Sequence, residues 1–78
     1  MEQRVKKIMA KTFKTEEKKI SENASMDTLE EWDSLRHMYL ILGLEDEFGV
    51  EFSQPQIINM LSYKTILFTL KEVVAGSK

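Results

Sequence analysis

Residues 33–50 read Asp-Ser-Leu-Arg-His-Met-Tyr-Leu-Ile-Leu-Gly-Leu-Glu-Asp-Glu-Phe-Gly-Val. The stretch carries its own start and stop signals. The carboxylate of Asp33 can accept the free amide hydrogens of a first helical turn, which makes it a good N-cap. Gly49 suits the left-handed stop position, so the spacing predicts a helix that begins at Asp33-Ser34 and runs to Phe48. At about 100° per residue, Leu40, Ile41, Leu44 and Phe48 fall on one side of that helix, while Leu35, Met38 and Leu42 fall more than a quarter turn away. One apolar stripe must pack on the rest of the protein. The second has two readings, a partly exposed strip suited to a partner or one side of a central helix buried nearly all round. Met38 tilts toward the first, because methionine adapts to varied surfaces.

Outward from this helix, Val5, Ile8, Met9 and Phe13 form one stripe of an N-terminal helix over about residues 2 to 14, with lysines on the other side. Residues 15–33 show no sustained period. Connections longer than about 12–15 residues are uncommon in a small domain, and such segments are usually functional or pinned down. Ile20, Met26, Leu29 and Trp32 are the available pins, so an ordered loop draped across the helices is expected. Beyond Gly49, Val50 and Phe52 anchor the next connection. Ser53 with Pro55 signals a short third helix holding Ile57, Ile58, Met60 and Leu61. Ser62 can cap a fourth helix with the stripe Tyr63, Ile66, Leu67, Leu70 and Val74, fraying after Ala75 into Gly76, Ser77 and Lys78. The expected fold is all-α: a small four-helix bundle with three long helices, one short third helix and a long first loop.

The chain of 78 residues is one domain, residues 1–78, with 42% hydrophobic and 31% charged residues. This composition is globular rather than disordered. It holds no cysteine and one histidine, so neither a disulfide, a protein thiol nor an ordinary zinc site is expected. So short a chain offers few walls for an enclosed pocket, and an enzyme is not expected. No apolar run approaches the roughly 20 residues that span a bilayer, and Met1–Ala10 lacks the apolar core of a signal peptide. A soluble, cytoplasmic monomer without a membrane association follows as the expectation. Residues 1–19 carry a net charge of +4 and residues 22–51 a net charge of −8. The acidic middle would repel nucleic acid and attract a basic protein surface. The basic start reads as a solvated lysine face.

Trp32-Asp33-Ser34-Leu35, followed by Leu44-Glu45-Asp46-Glu47-Phe48-Gly49-Val50, resembles the acyl carrier protein family. Asp-Ser-Leu at the head of the second helix is that family's signature, and the likeness extends over residues 3–75. The resemblance implies that Ser34 carries a 4′-phosphopantetheine arm, transferred from coenzyme A by a phosphopantetheinyl transferase. It implies that Asp33 and Leu35 are the signature residues flanking that site. It further implies that Met38 and Leu42 lie where partner enzymes touch the second helix, and that Glu45, Asp46 and Glu47 form an acidic recognition run. The arm would hold an acyl or aminoacyl group as a thioester, placed there by a loading ligase and passed to acyl-transferring enzymes with basic docking surfaces. Departures point away from housekeeping fatty-acid synthesis and toward a specialised biosynthetic pathway. Arg36, His37 and Tyr39 stand where acidic or small residues are frequent, the third helix holds no acid, and Trp32 directly precedes the signature. The rival reading is an unmodified helical binding module that docks a partner through Leu35, Met38 and Leu42, with Ser34 only a helix-start serine.

Other residues invite chemistry that their surroundings do not support. His37 lies near the core stripe without the third group and oxyanion site a Ser34 nucleophile would need, and reads as a rim histidine or local hydrogen-bond partner. Asp27, Glu30, Glu31 and Asp33 lack the spacing of a calcium loop. Trp32 reads as a pin for the long loop.

Overall fold

The computed structural model describes residues 2–76 and contains α1 (Glu2–Phe13), α2 (Ser34–Phe48), α3 (Gln54–Asn59) and α4 (Tyr63–Gly76), with a single 3-10 turn at Glu17–Lys19 between α1 and α2. It is a small all-α protein with a long first loop and a short third helix, as the periodicity implies. Its radius of gyration of 11.4 Å is that of a compactly folded chain, about 11.5 Å at this length. Among the described residues there is no strand, only an isolated antiparallel bridge between Ser25 and Ser62. No helix among them is long and apolar enough to cross a membrane.

The helix ends follow from local chemistry. Asp33 is the N-cap of α2, and Gly49 stops that helix in the left-handed region at φ 64°, ψ 40°. The Val50 amide then reaches back to the Glu45 carbonyl at 3.2 Å, closing the last turn. α1 ends one residue earlier than its pattern suggests, because Lys14 takes φ 55° and the Thr15 amide turns back to the Ala10 carbonyl at 2.9 Å. Ser53 and Gln56 form a reciprocal capping box at the start of α3. Ser62 caps α4, its hydroxyl accepting the Thr65 amide at 3.2 Å. α4 continues through Gly76, so the expected fraying does not begin after Ala75; Ser77 and Lys78 lie outside the described residues.

The third helix is shorter than its apolar content implies. It ends at Asn59, and Met60 turns fully inward while Ile58 and Leu61 are exposed. The reason lies in the backbone. The Leu61 carbonyl accepts the Met26 amide and the Ala24 carbonyl accepts the Tyr63 amide, both at 2.9 Å. The chain after Met60 is thereby committed to the long loop, and α3 does not continue into α4.

One core joins all the helices. Val5, Met9, Ala10 and Phe13 of α1 meet Leu40, Ile41 and Leu44 of α2, Met60, and Tyr63, Ile66 and Leu70 of α4. Gly43 lets α1 approach α2 closely, since a Cβ there would meet Ile8 Cγ2 at 3.2 Å. Val50 and Phe52 are buried, as their anchoring role requires. Ile8, Leu67, Phe48 and Val74 lie at the margin, only partly buried, and Thr69 is buried although it belongs to no apolar stripe. Burial pushes the Tyr63 phenol above its ordinary value, with the charges of Glu2 and Glu22 acting in the same direction. The long loop is ordered by its own pins. Ile20, Ala24 and Trp32 are buried, with Met26 and Leu29 packed at the edge.

The two stripes of α2 are therefore unequal in energy. Leu44→Ala removes a fully buried side chain and is expected to cost about 2–5 kcal/mol of unfolding free energy. Leu42→Ala, at 56% exposure, should change it by no more than about 0.5 kcal/mol. Urea denaturation of the two variants checks the contrast.

Candidate functional site

Ser34 is the first residue of α2 and is exposed. The segment before it is immobilised from both sides. The Asp33 carboxylate accepts the Arg36 amide at 2.8 Å, and the Asp33 carbonyl accepts the His37 amide at 2.8 Å. Arg36 folds back over the same turn. Its guanidinium lies 3.6 Å from the Asp33 carboxylate and donates to the Glu31 carbonyl at 3.3 Å. Ser34 thus stands at the positive end of the helix dipole, in the same turn as one guanidinium and one carboxylate.

Beneath this turn lies a polar bridge inside the apolar core. Trp32 is 2% exposed, and its ring meets Phe13 of α1 at a centroid distance of 5.2 Å. Its indole N–H donates to His37 Nδ1 at 3.0 Å. The other ring nitrogen, Nε2, lies 2.9 Å from the Ile57 carbonyl. An indole N–H can only donate, so Nδ1 must accept, and a neutral ring then carries its proton on Nε2, donated to Ile57. His37 therefore sits inside the protein rather than at its rim. No catalytic use of Ser34 by this ring is indicated, since both nitrogens are engaged elsewhere. As a pin for the loop, Trp32 fulfils its expected role.

The second stripe of α2 faces solvent. Leu35 is 64% and Met38 47% exposed, and Leu42 and Tyr39 are exposed as well. Tyr39 joins this strip although it lay outside the apolar stripe read from the sequence. The bond from His37 to Ile57 sets α3 beside the first turns of α2, and Ile58 in α3 and Leu61 after it are also exposed. Their exposure could not be read from periodicity, because six residues are too few to define a buried face. α3 brings no ionisable side chain to this region.

The acidic run behaves differently from its appearance in the sequence. The Glu45 carboxylate accepts the Phe52 amide at 2.9 Å and so anchors the connection after α2. Glu47 receives two hydrogen bonds from the Arg4 guanidinium, at 2.9 and 2.6 Å. The same guanidinium lies 4.6 Å from the centroid of the Phe48 ring. Of the three acids only Asp46 is exposed without an internal partner. The sequence offered no sign of this engagement, since Arg4 and Glu47 are far apart along the chain.

Ser34, Asp33, Leu35, Met38 and Leu42 thus share one exposed end and face of α2, and Glu45, Asp46 and Glu47 occupy its far end. Among the described residues no group of three or more histidine or acidic side chains could hold a metal ion. No known protein-family model matches the chain.

The cap is the structural contribution of the residue preceding Ser34. Asp33→Ala is expected to lower unfolding free energy by about 0.5–2 kcal/mol, whereas Asp33→Asn, which keeps an acceptor oxygen, should retain most of it. Chemical denaturation of both variants distinguishes an effect of the cap from one of the surface charge.

Proposed function

We propose that this protein is an acyl carrier protein whose Ser34 hydroxyl bears a 4′-phosphopantetheine arm. The observation that supports the reading most is the exposure of Ser34 at the head of α2, between a rigid cap and an exposed apolar strip. The residues present fit the group. A phosphate esterified to Ser34 would meet the helix N-terminus, which favours anions, and the Arg36 guanidinium in the same turn. The protein has no thiol of its own, and the arm, when attached, supplies one that can hold an acyl or aminoacyl group as a thioester. The chain's part is to anchor, display and dock. Tethering raises the effective concentration of the cargo at a docked enzyme, so the protein itself need not be an enzyme.

The partners of this reading are the phosphopantetheinyl transferase, a loading ligase and acyl-transferring enzymes. Leu35, Met38, Tyr39 and Leu42 provide an apolar centre for docking. Asp46 provides an exposed negative charge for a basic surface, while Glu45 and Glu47 are already engaged within the protein. Docking in this account leans more on the strip than on the acidic run. The acid-free α3 and the residues Arg36 and Tyr39 set this surface apart from a general fatty-acid role and favour a dedicated biosynthetic pathway. The second reading, an unmodified binding module, rests on the same exposed strip and needs no arm.

Incubation with coenzyme A, magnesium and a broad-range transferase, followed by intact mass measurement, separates the two. The expected result is a mass gain of one arm in the wild type and none in Ser34→Ala. No gain in either protein would favour the binding module.

A further inference from the structure

The bridge through His37 joins three parts of the protein that the chain keeps separate. Trp32 ends the long loop, His37 belongs to the first turns of α2, and Ile57 lies in α3. All three meet on one imidazole that is 7% exposed. The link to Trp32 requires a lone pair on Nδ1, because the indole offers only a donor. The link to Ile57 requires a proton on Nε2. Only the neutral ring with its proton on Nε2 satisfies both. Histidine is the side chain whose ordinary titration lies between about pH 5 and 8, and this chain has one.

We propose that His37 is the positioning residue of the Ser34 turn and that it acts as a proton-operated latch. With a neutral ring the loop end is clamped to α2 and α3. When solvent delivers a proton to Nδ1, the lone pair that accepted the Trp32 N–H is consumed. Two N–H groups then face each other where one bond stood 3.0 Å long. The imidazolium keeps its bond to the Ile57 carbonyl, so α3 stays attached, while Trp32 and the adjoining Asp33-Ser34 turn are released.

Among the described residues the ring has no ion-pair partner that would offset this loss. α3 offers no ionisable side chain. The loop offers Glu30, Glu31 and Asp33, all exposed, and the Asp33 carboxylate is engaged with the Arg36 amide and guanidinium. On α2 itself the adjoining Arg36 is a cation whose guanidinium is engaged with the Asp33 carboxylate and the Glu31 carbonyl. From α1 the contact is Phe13, which meets Trp32, and the adjoining Lys14 is exposed.

The latch is tested on the isolated 78-residue chain, without an arm, by nuclear magnetic resonance of isotopically labelled protein. In the wild type, the Trp32 indole N–H and the Ser34 amide are expected to shift together with the His37 ring signals as the protein is taken from neutral to acidic pH. His37→Asn sets an amide oxygen where Nδ1 stands, keeps an acceptor for Trp32 and has nothing to titrate. Its Trp32 signal should stay flat across the same range. Trp32→Phe keeps the imidazole and removes the donor, and its Ser34 amide should lose the response. A Trp32 signal that does not move in the wild type overturns the proposal, as does one that moves equally in His37→Asn. Should either variant fail to fold, the wild-type titration still decides.

For loading of the arm, the inference rests on the carrier reading of Ser34. The wild-type KM for the transferase, divided by that of His37→Asn at each pH, should rise about two- to tenfold on acidification, the equilibrium weight of one net hydrogen bond. Taking this ratio cancels the transferase's own pH dependence. A protein that gains no arm but shows the Trp32 titration refutes the carrier and keeps the latch. One that gains the arm with a flat Trp32 signal does the reverse.

Discussion

The hydrogen bonds on either side of His37 tie the long loop to the helices and decide where Ser34 stands. A connection as long as that between α1 and α2 carries a large ordering cost. Trp32 offsets part of it, because a buried indole removes on the order of 200 Å² of surface from water. Burying an indole also buries its N–H, and an unpaired donor inside a protein costs about 1–3 kcal/mol. His37 Nδ1 satisfies that donor at 3.0 Å, and the Ile57 carbonyl satisfies the histidine in turn at 2.9 Å. Loop, α2 and α3 are thereby held in one arrangement. With Trp32 directed inward, the next two residues emerge at the surface, Asp33 as cap and Ser34 as the first exposed side chain of the helix.

Most of this architecture was legible in the residues because the signals are local. Asp33 and Gly49 bound α2 through their own backbone and side-chain chemistry, and the Ser53, Pro55 and Ser62 signals operate within one turn. What periodicity could not settle was whether the second stripe of α2 faces solvent or is buried as well, since both stripes are apolar; Leu40, Ile41 and Leu44 join the core with Val5, Met9 and Phe13, while Leu35, Met38 and Leu42 stay exposed. Apolar content overstates the length of α3, because the carbonyl of Leu61 serves the loop at Met26, a bond between segments distant in the chain. The same limit hid the engagement of Glu45 with Phe52 and of Glu47 with Arg4. Distant pairing of this kind leaves no mark on the spacing of residues. The position of His37 on the helix puts it near the core, but its two partners, Trp32 and Ile57, are set by the fold.

In the proposed function, a rigid bundle displays one hydroxyl and surrounds it with a surface for transient partners. An exposed strip of Leu35, Met38, Tyr39 and Leu42 is costly in water and suited to repeated, reversible contact. Diverting Glu45 and Glu47 to internal contacts strengthens the bundle at the far end of α2 and leaves the strip as the main recognition element. Selectivity among partners would then rest on shape around Met38 and Tyr39 more than on charge. That emphasis agrees with a carrier dedicated to few enzymes.

The central claim is that Ser34, among all the hydroxyls of this protein, anchors the arm. It is tested most directly by peptide mapping of the protein produced in cells together with a phosphopantetheinyl transferase. Cleavage after Lys19 and Arg36 releases residues 20–36, which contain Ser21, Ser25, Thr28 and Ser34. Fragmentation of this peptide is predicted to place a phosphopantetheine group on Ser34 alone. An unmodified peptide, or a group on any other hydroxyl, would contradict the account.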